Sequence, residues 1–325
     1  MKTQDVDLQI HELLEKNDRL TAELEQMKIF FAELESTNNH LVSATWRERD
    51  MKKKLADTIA ELNATKLVLD AQNKRITESI NYSRKIQIAI NPTESELREI
   101  FPKSFIFYIP KDVISGDFPW LFKFDKYVYI ASVDCTGHGV PGAMMSMIGN
   151  LLLNDIVNKG NLLLPSEILQ KLHLAVVHTL KQNLPDSNSN DGMDIALCRI
   201  DRNTGELFFS GAHRPLFISK QNQLECYSGD KFPIGGVQYK GKNTYTDVCL
   251  KLEKSDRVII FSDGLPDQIG GEDKRKLMTK GVKEFFEKRN NSPFEILKTD
   301  LESEFAAWKA NNKQIDDVLL MAIEF

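Results

Sequence analysis

Val133-Asp134-Cys135-Thr136-Gly137-His138-Gly139-Val140-Pro141-Gly142-Ala143 joins two kinds of sequence. Before it, Tyr127 to Val133 is an apolar run rich in β-branched and aromatic residues, the composition of a buried strand. After it, Gly142 to Asn158 reads as a helix, and Pro141 suits a first helical turn. Between them Gly137, Gly139 and Gly142 let the backbone turn tightly. A carboxylate, Asp134, therefore stands where a strand hands over to a loop, just ahead of a helix. Such a place holds a cation. The alternative is a helix-start loop whose Asp only caps the backbone.

Other carboxylates fall at similar places. Asp117 lies in Ile114-Ser115-Gly116-Asp117-Phe118, Asp263 follows Val258-Ile259-Ile260-Phe261-Ser262, and Asp316 and Asp317 precede the run Val318 to Ile323. Carboxylates gathered together repel one another unless cations lie between them. Oxygen ligands suit hard ions such as Mg²⁺ or Mn²⁺. The sequence has no HExxH pair and no CxxC pair to suggest zinc. From Phe101 onward, strand runs (104–109, 118–122, 127–133, 194–200, 206–210, 216–219, 224–227, 246–252, 257–261, 318–324) outnumber helical ones (142–158, 165–181, 274–288, 293–310). They do not alternate strictly, so an α+β domain of mainly antiparallel sheets with helices outside is expected.

Residues 1 to about 90 differ: they contain neither Pro nor Gly. One apolar series, seven residues apart, runs Val6, Leu13, Leu20, Met27, Leu34, Leu41, Glu48, Leu55, Leu62, Leu69, Ile76, Ser83, Ile90. A second runs Ile10, Asn17, Leu24, Phe31, Asn38, Thr45, Lys52, Ile59, Lys66, Asn73, Ile80, Gln87. As d and a positions they form a coiled-coil seam of about twelve repeats. Polar a positions favour a parallel, in-register homodimer. A single solvated helix, or one folded back at Thr37 to His40, is the alternative. Asn91-Pro92 ends the helix, which predicts a dimerisation and regulatory helix over 1–91 and a second domain over 92–325.

Composition narrows the function. A chain of 325 residues with net charge −5 is not a general nucleic-acid binder. The four cysteines, Cys135, Cys198, Cys226 and Cys249, are widely spaced, as in reduced cytosolic proteins. The N-terminus lacks a signal-peptide pattern and no run of 18 apolar residues occurs, so a cytoplasmic protein without membrane insertion is expected.

Together SGDF at 115–118, DCTGHGVPGA at 134–143, SDGLPDQIGG at 262–271 and DDVLL at 316–320 resemble the metal-dependent serine/threonine protein phosphatases, specifically their SpoIIE-like bacterial branch. DGMDIALCRID at 191–201, GAHRPLFI at 211–218 and FPIGG at 232–236 support the likeness, which covers about residues 80 to 325. The resemblance implies a four-layer αββα sandwich, two antiparallel sheets flanked by helices, with two Mn²⁺ or Mg²⁺ ions at one end. It implies hydrolysis of phosphoserine and phosphothreonine on a partner protein, of the anti-sigma-factor-antagonist type, by a water that two cations acidify. Residue by residue, Asp134 matches the bridging carboxylate and the backbone carbonyl of Cys135 the ligand after it. Asp117 and Asp263 match other acidic ligands. Asp316 matches the last ligand and Asp317 its neighbour.

His138 stands four residues after Asp134, where better-known relatives carry a His two residues after. It is a candidate general acid or a loop-shaping residue. Asp191 and Asp194 suit either a third ion or turn roles, with turns favoured. His213 and Arg214 read as hairpin residues with packing or surface roles, and no phosphate-gripping basic residue is evident. The resemblance also implies that the helices 142–158 and 165–181 are the switch elements through which the coiled coil acts. Two other readings remain: a non-catalytic coiled-coil scaffold with a phosphatase-like docking domain, and a small-phosphoester hydrolase, for which no P-loop is found.

Overall fold

The computed structural model describes residues 2–159, 162–185, 189–220, 223–236 and 244–325, with side chains described from Leu8 onward. The chain forms two compact units, Met1–Ile76 and Thr77–Phe325. The first belongs to helix α1, Lys2–Ile90. The helix is unbroken through Thr37 to His40, which removes the fold-back reading. Thr37 returns its hydroxyl to the Glu33 carbonyl (2.8 Å) instead of opening a turn. The seam leucines Leu13, Leu20, Leu34, Leu41, Leu55 and Leu62 are all more than half exposed. Val6, at the head of the seam, lies outside the described side chains.

In chain order the second unit adds α2 (Glu94–Ile100), β1 (Ser104–Ile109), β2 (Phe118–Phe124), β3 (Tyr127–Cys135), α3 (Gly139–Val157), α4 (Pro165–Thr179), β4 (Gly192–Asp201), β5 (Glu206–Ala212), β6 (Leu216–Lys220) and β7 (Gln223–Tyr227). There follow β8 (Ile234–Gly235), β9 (Val248–Lys251), β10 (Arg257–Phe261), α5 (Gly264–Asp267), β11 (Ile269–Gly270), β12 (Arg275–Lys276), α6 (Met278–Lys288), α7 (Phe294–Lys309) and β13 (Val318–Glu324). A five-stranded antiparallel sheet has the order β1-β13-β10-β6-β7. A six-stranded sheet has the order β2-β3-β4-β5-β9, with β8 pairing β4.

The side chains of these strands build the layers. Along β13, Leu319, Met321 and Ile323 face the other sheet, joining Val128, Ile130, Ala196, Cys198 and Ile200. Val318, Leu320 and Ala322 face the opposite way, onto α6 and α7 through Phe285, Phe286, Leu297 and Phe305. Along β3, Tyr129, Ala131 and Val133 meet α3 and α4 through Met145, Leu153, Ile168 and Leu172. Sheets buried on both faces need the near-continuous apolar runs read in the sequence. The result is the αββα sandwich. Helix α3 is long and apolar enough to cross a membrane by composition. Its Met145, Leu153, Ile156 and Val157 are buried in this layer, as in the core helix of a folded domain.

Three element ends differ from the sequence reading, two of them at the site. Strand β3 runs on through Asp134 to Cys135, and α3 begins at Gly139, so Pro141 falls inside its first turn, where backbone N–H groups are unpaired in any case. The helix expected over 274–288 starts only at Met278, because Arg275 and Lys276 pair with β11 first. The second unit also takes in the last turns of α1, ahead of Pro92.

Candidate active site

The carboxylates meet because two loops and a helix start pack backbone against backbone. A Cβ on Gly142 would lie 2.2 Å from the carbonyl oxygen of Gly137, and one on Gly264 only 1.8 Å from that of Asp317. The first contact closes the TGHG turn beneath α3. The second brings the Asp263 loop against the Asp316–Asp317 pair. Asp134 and Asp194 stand directly opposite each other in the β3–β4 ladder, so both side chains leave the same face. The backbone N–H of Asp263 donates to Asp134 Oδ2 (3.3 Å), tying the two sheets together at this end.

A cavity of about 330 Å³ opens here, lined among others by Asp134, His138, Asp194, Arg214, Asp263 and Asp316. Its electrostatics are unbalanced. Burial, then repulsion from Asp134, pushes Asp117 well above the usual carboxylate range. Burial pushes Asp134 up to about 8, with Arg214 opposing and Asp263 and Asp194 adding to the rise. Burial also raises Asp316. Asp117 is 3% exposed, and its Oδ2 has no hydrogen-bond partner. A buried carboxylate oxygen without a donor is costly unless a cation faces it. Among the described residues, no group of three or more His, Cys, Asp or Glu side chains is placed as it stands to hold a metal ion. The set nevertheless fits hard cations, since it consists of oxygen donors with an orphaned, buried anion among them.

The expected residues take distinct parts. Beyond burial, Asp134 and Asp263 both push up the Asp117 carboxyl, and Asp263 also pushes up Asp134 and Asp316. Asp317 does different work: its two oxygens accept from the backbone N–H groups of Lys111 (2.7 Å) and Gly116 (2.8 Å), which shapes the Ser115-Gly116-Asp117 loop. The Cys135 thiol is held protonated, its pKa raised by burial and then by Asp134 and Asp117. His138 gives its Nδ1 to Asp112 Oδ2 (2.7 Å) and is half-exposed at the rim. Asp191 makes turn contacts, with Thr136 and Ser189.

Arg214 and Asp194 are the residues that sequence reasoning misplaced. Arg214 is not a surface hairpin residue. Its Nη2 lies 3.1 Å from Asp134, 2.8 Å from Asp194 and 2.8 Å from Asp263. Asp194 is no turn residue either, since it holds both Arg214 and His213 Nδ1 (2.9 Å). The available signal was the GAHRPLF segment itself, a His–Arg pair between a strand end and the next strand. Asp112, absent from the sequence reading, carries no pattern of its own.

The match to known proteins covers this architecture. The model of the Stage II sporulation protein E (SpoIIE) family matches residues 125–325, more than half of the chain. This chain belongs to the SpoIIE family. Among solved structures, the SiaA-PP2C domain of Pseudomonas aeruginosa superposes with a TM-score of 0.71 at 26% identity, over 78% of this chain and 99% of that one. The PP2C phosphatase domain of SpoIIE from Bacillus subtilis, with a fragment of its regulatory domain, gives 0.56 at 18% identity, over 68% of this chain and 62% of that one. The RsbU and RsbW domains of Rv1364c from Mycobacterium tuberculosis give 0.53 at 18%, over 68% and 59%. No curated protein sequence matches. The SpoIIE-family domain of this chain thus has a PP2C phosphatase fold, and the carboxylates gather where Asp134 leaves β3.

Proposed function

We propose that this SpoIIE-family protein is a metal-dependent protein serine/threonine phosphatase of the cytoplasm, controlled through its N-terminal coiled coil. The observation that carries the reading is the orphaned, buried Asp117 oxygen beside Asp134, at the sheet ends of a PP2C fold. Asp117, Asp134, the Cys135 carbonyl, Asp263 and Asp316 would hold two Mn²⁺ or Mg²⁺ ions. When bound, such ions acidify a water for in-line attack on phosphorus and offset the phosphate charge. The chain's own residues do the rest. Asp134 and Asp263 fix the two sheets relative to each other through the 3.3 Å bond. Asp317 holds the Gly116 backbone, and so the orientation of Asp117. With Nδ1–H given to Asp112, His138 would act as the imidazolium, its Nε2–H donating the proton to the leaving alkoxide and the ring returning to neutral. Cys135, neutral and buried, is no nucleophile.

A phosphorylated partner of the anti-sigma-factor-antagonist type is the proposed substrate, and a parallel homodimer through residues 1–91 the proposed assembly. Support for the assembly is the exposed leucine seam. Support for the control is Gln87, the last a position of that seam. It is 5% exposed and uses its whole amide: Nε2 donates to the Ser115 carbonyl (2.7 Å) and to Ser146 Oγ (2.9 Å), while Oε1 accepts from Ser115 N–H (3.1 Å). One seam residue thus holds the Asp117 loop and α3 together. Gln87→Leu should strand these polar groups, cost about 1–3 kcal/mol in urea unfolding and weaken Mn²⁺ binding. Unchanged stability and affinity would remove the coupling.

The test of function is phosphate release from a phosphoseryl protein and from nucleotides, each with Mn²⁺ and with EDTA. Release from the phosphoprotein alone, lost in EDTA and restored by Mn²⁺, is expected. Equal release from nucleotides would favour a small-phosphoester hydrolase, and no release from any substrate a scaffold.

A further inference from the structure

Arg214 has a part that phosphatase chemistry does not by itself require. Its side chain is 16% exposed and lies where three carboxylates converge. A guanidinium normally meets carboxylates with its two-pronged fork. Here a single nitrogen, Nη2, faces Asp134, Asp194 and Asp263 at 2.8–3.1 Å, while the buried Nε has no partner. This arrangement places one positive charge at the meeting point of the anions and leaves the directional bonding of the fork partly unmade. The backbone supports that placement. His213 adopts the left-handed region (φ +59°) and is held by Asp194, the same carboxylate that holds Arg214. The cost of that conformation is met by turning the next side chain into the cluster.

We propose that Arg214 is a tethered counter-cation: it neutralises Asp134 and Asp263 until a divalent ion displaces it, and so sets how tightly the site binds metal. The inference rests on the proposed metal site. Asp134 Oδ2 and Asp263 Oδ2 face the Arg214 nitrogen, so a divalent ion bound through these oxygens must take them from the guanidinium. Like charges a few Å apart in a partly buried site repel strongly, so the guanidinium must withdraw, with Asp194 as the carboxylate left to hold it. Loading is then an exchange of one cation for another. Its affinity is lower than the carboxylates alone would give, and the protein keeps the cluster compact without metal.

The experiment measures Mn²⁺ binding to the full chain by the electron paramagnetic resonance of free Mn²⁺, for wild type, Arg214→Gln and Arg214→Lys. Thermal unfolding in EDTA and in Mn²⁺ is followed alongside. R214Q is expected to bind Mn²⁺ at least tenfold more tightly, to melt lower than wild type in EDTA and to gain more from Mn²⁺. R214K, keeping the charge on a shorter reach, is expected to fall between. Unchanged or weaker Mn²⁺ binding in R214Q, with only substrate KM raised, would overturn the proposal and make Arg214 a phosphate clamp. Should R214Q fail to fold even in Mn²⁺, R214K decides by the same measure: tighter binding supports the exchange, and unchanged or weaker binding overturns it. If wild type and both variants bind no Mn²⁺, the metal site itself is wrong, an outcome distinct from either.

Discussion

Asp134→Asn is expected to abolish phosphate release while leaving the fold in place. The amide keeps the shape of the carboxylate, so the Asp263 N–H can still donate to its oxygen. Arg214 keeps two of its three partners, Asp194 and Asp263. The substitution also removes the charge that burial, Asp263 and Asp194 all disfavour. Unfolding free energy should therefore change by no more than about 1 kcal/mol, the worth of one hydrogen bond. Activity behaves differently, because an amide is a poor ligand at a position expected to touch both ions. Residues that merely support metal ligands cost about 10–100-fold when removed. The bridging ligand should cost more, about 10³-fold or beyond in kcat/KM. Phosphate release together with circular dichroism and urea unfolding separates the two effects. A variant that keeps more than a tenth of wild-type activity would take the bridging role from Asp134.

Gly264→Ala should be the most damaging substitution outside the ligands themselves. Its new Cβ would lie 1.8 Å from the Asp317 oxygen and 2.7 Å from the Asp317 carbonyl carbon, and both are main-chain atoms. No rotamer relieves that overlap. Either the Asp263 loop or the start of β13 must move, and both carry candidate ligands. A loss of about 3 kcal/mol is expected, the upper end for overpacking, with Mn²⁺ affinity falling alongside. Urea unfolding and Mn²⁺ titration on the same sample would check this. Wild-type stability would mean that the two loops do not pack as described.

These expectations show how far the sequence carried the site. Asp117, Asp134, Asp263 and Asp316 were legible because each interrupts an apolar run bound for the core, and a strand end is a position that sequence marks. The αββα layering was legible for the same reason: runs such as Val318 to Ile323 are apolar at every position, which suits sheets covered on both faces. Asp194 was not legible, because its place opposite Asp134 depends on the register between β3 and β4, strands that α3 and α4 separate in the chain. Arg214 was hidden by the β4–β5 register, which sets Ala212 opposite Ile195, and by the turn at His213. Gln87 looked like one more polar a position among Asn17, Asn38 and Asn73. Only the packing of α1 against the Ser115 loop and Ser146 reveals it as a contact. Local chemistry is written in neighbouring residues, whereas the partners that tune it come from distant strands.

On the proposed function, Asp134 and its neighbours hold two divalent cations at the sheet ends. Anomalous diffraction at the manganese edge, from crystals of the full chain grown with Mn²⁺, tests it most directly. Two peaks within ligand distance of Asp134, one also reaching Asp117 and the other Asp263 or Asp316, are predicted. No peak at Asp134, with manganese only at surface carboxylates such as Asp273 or Glu302, would contradict it.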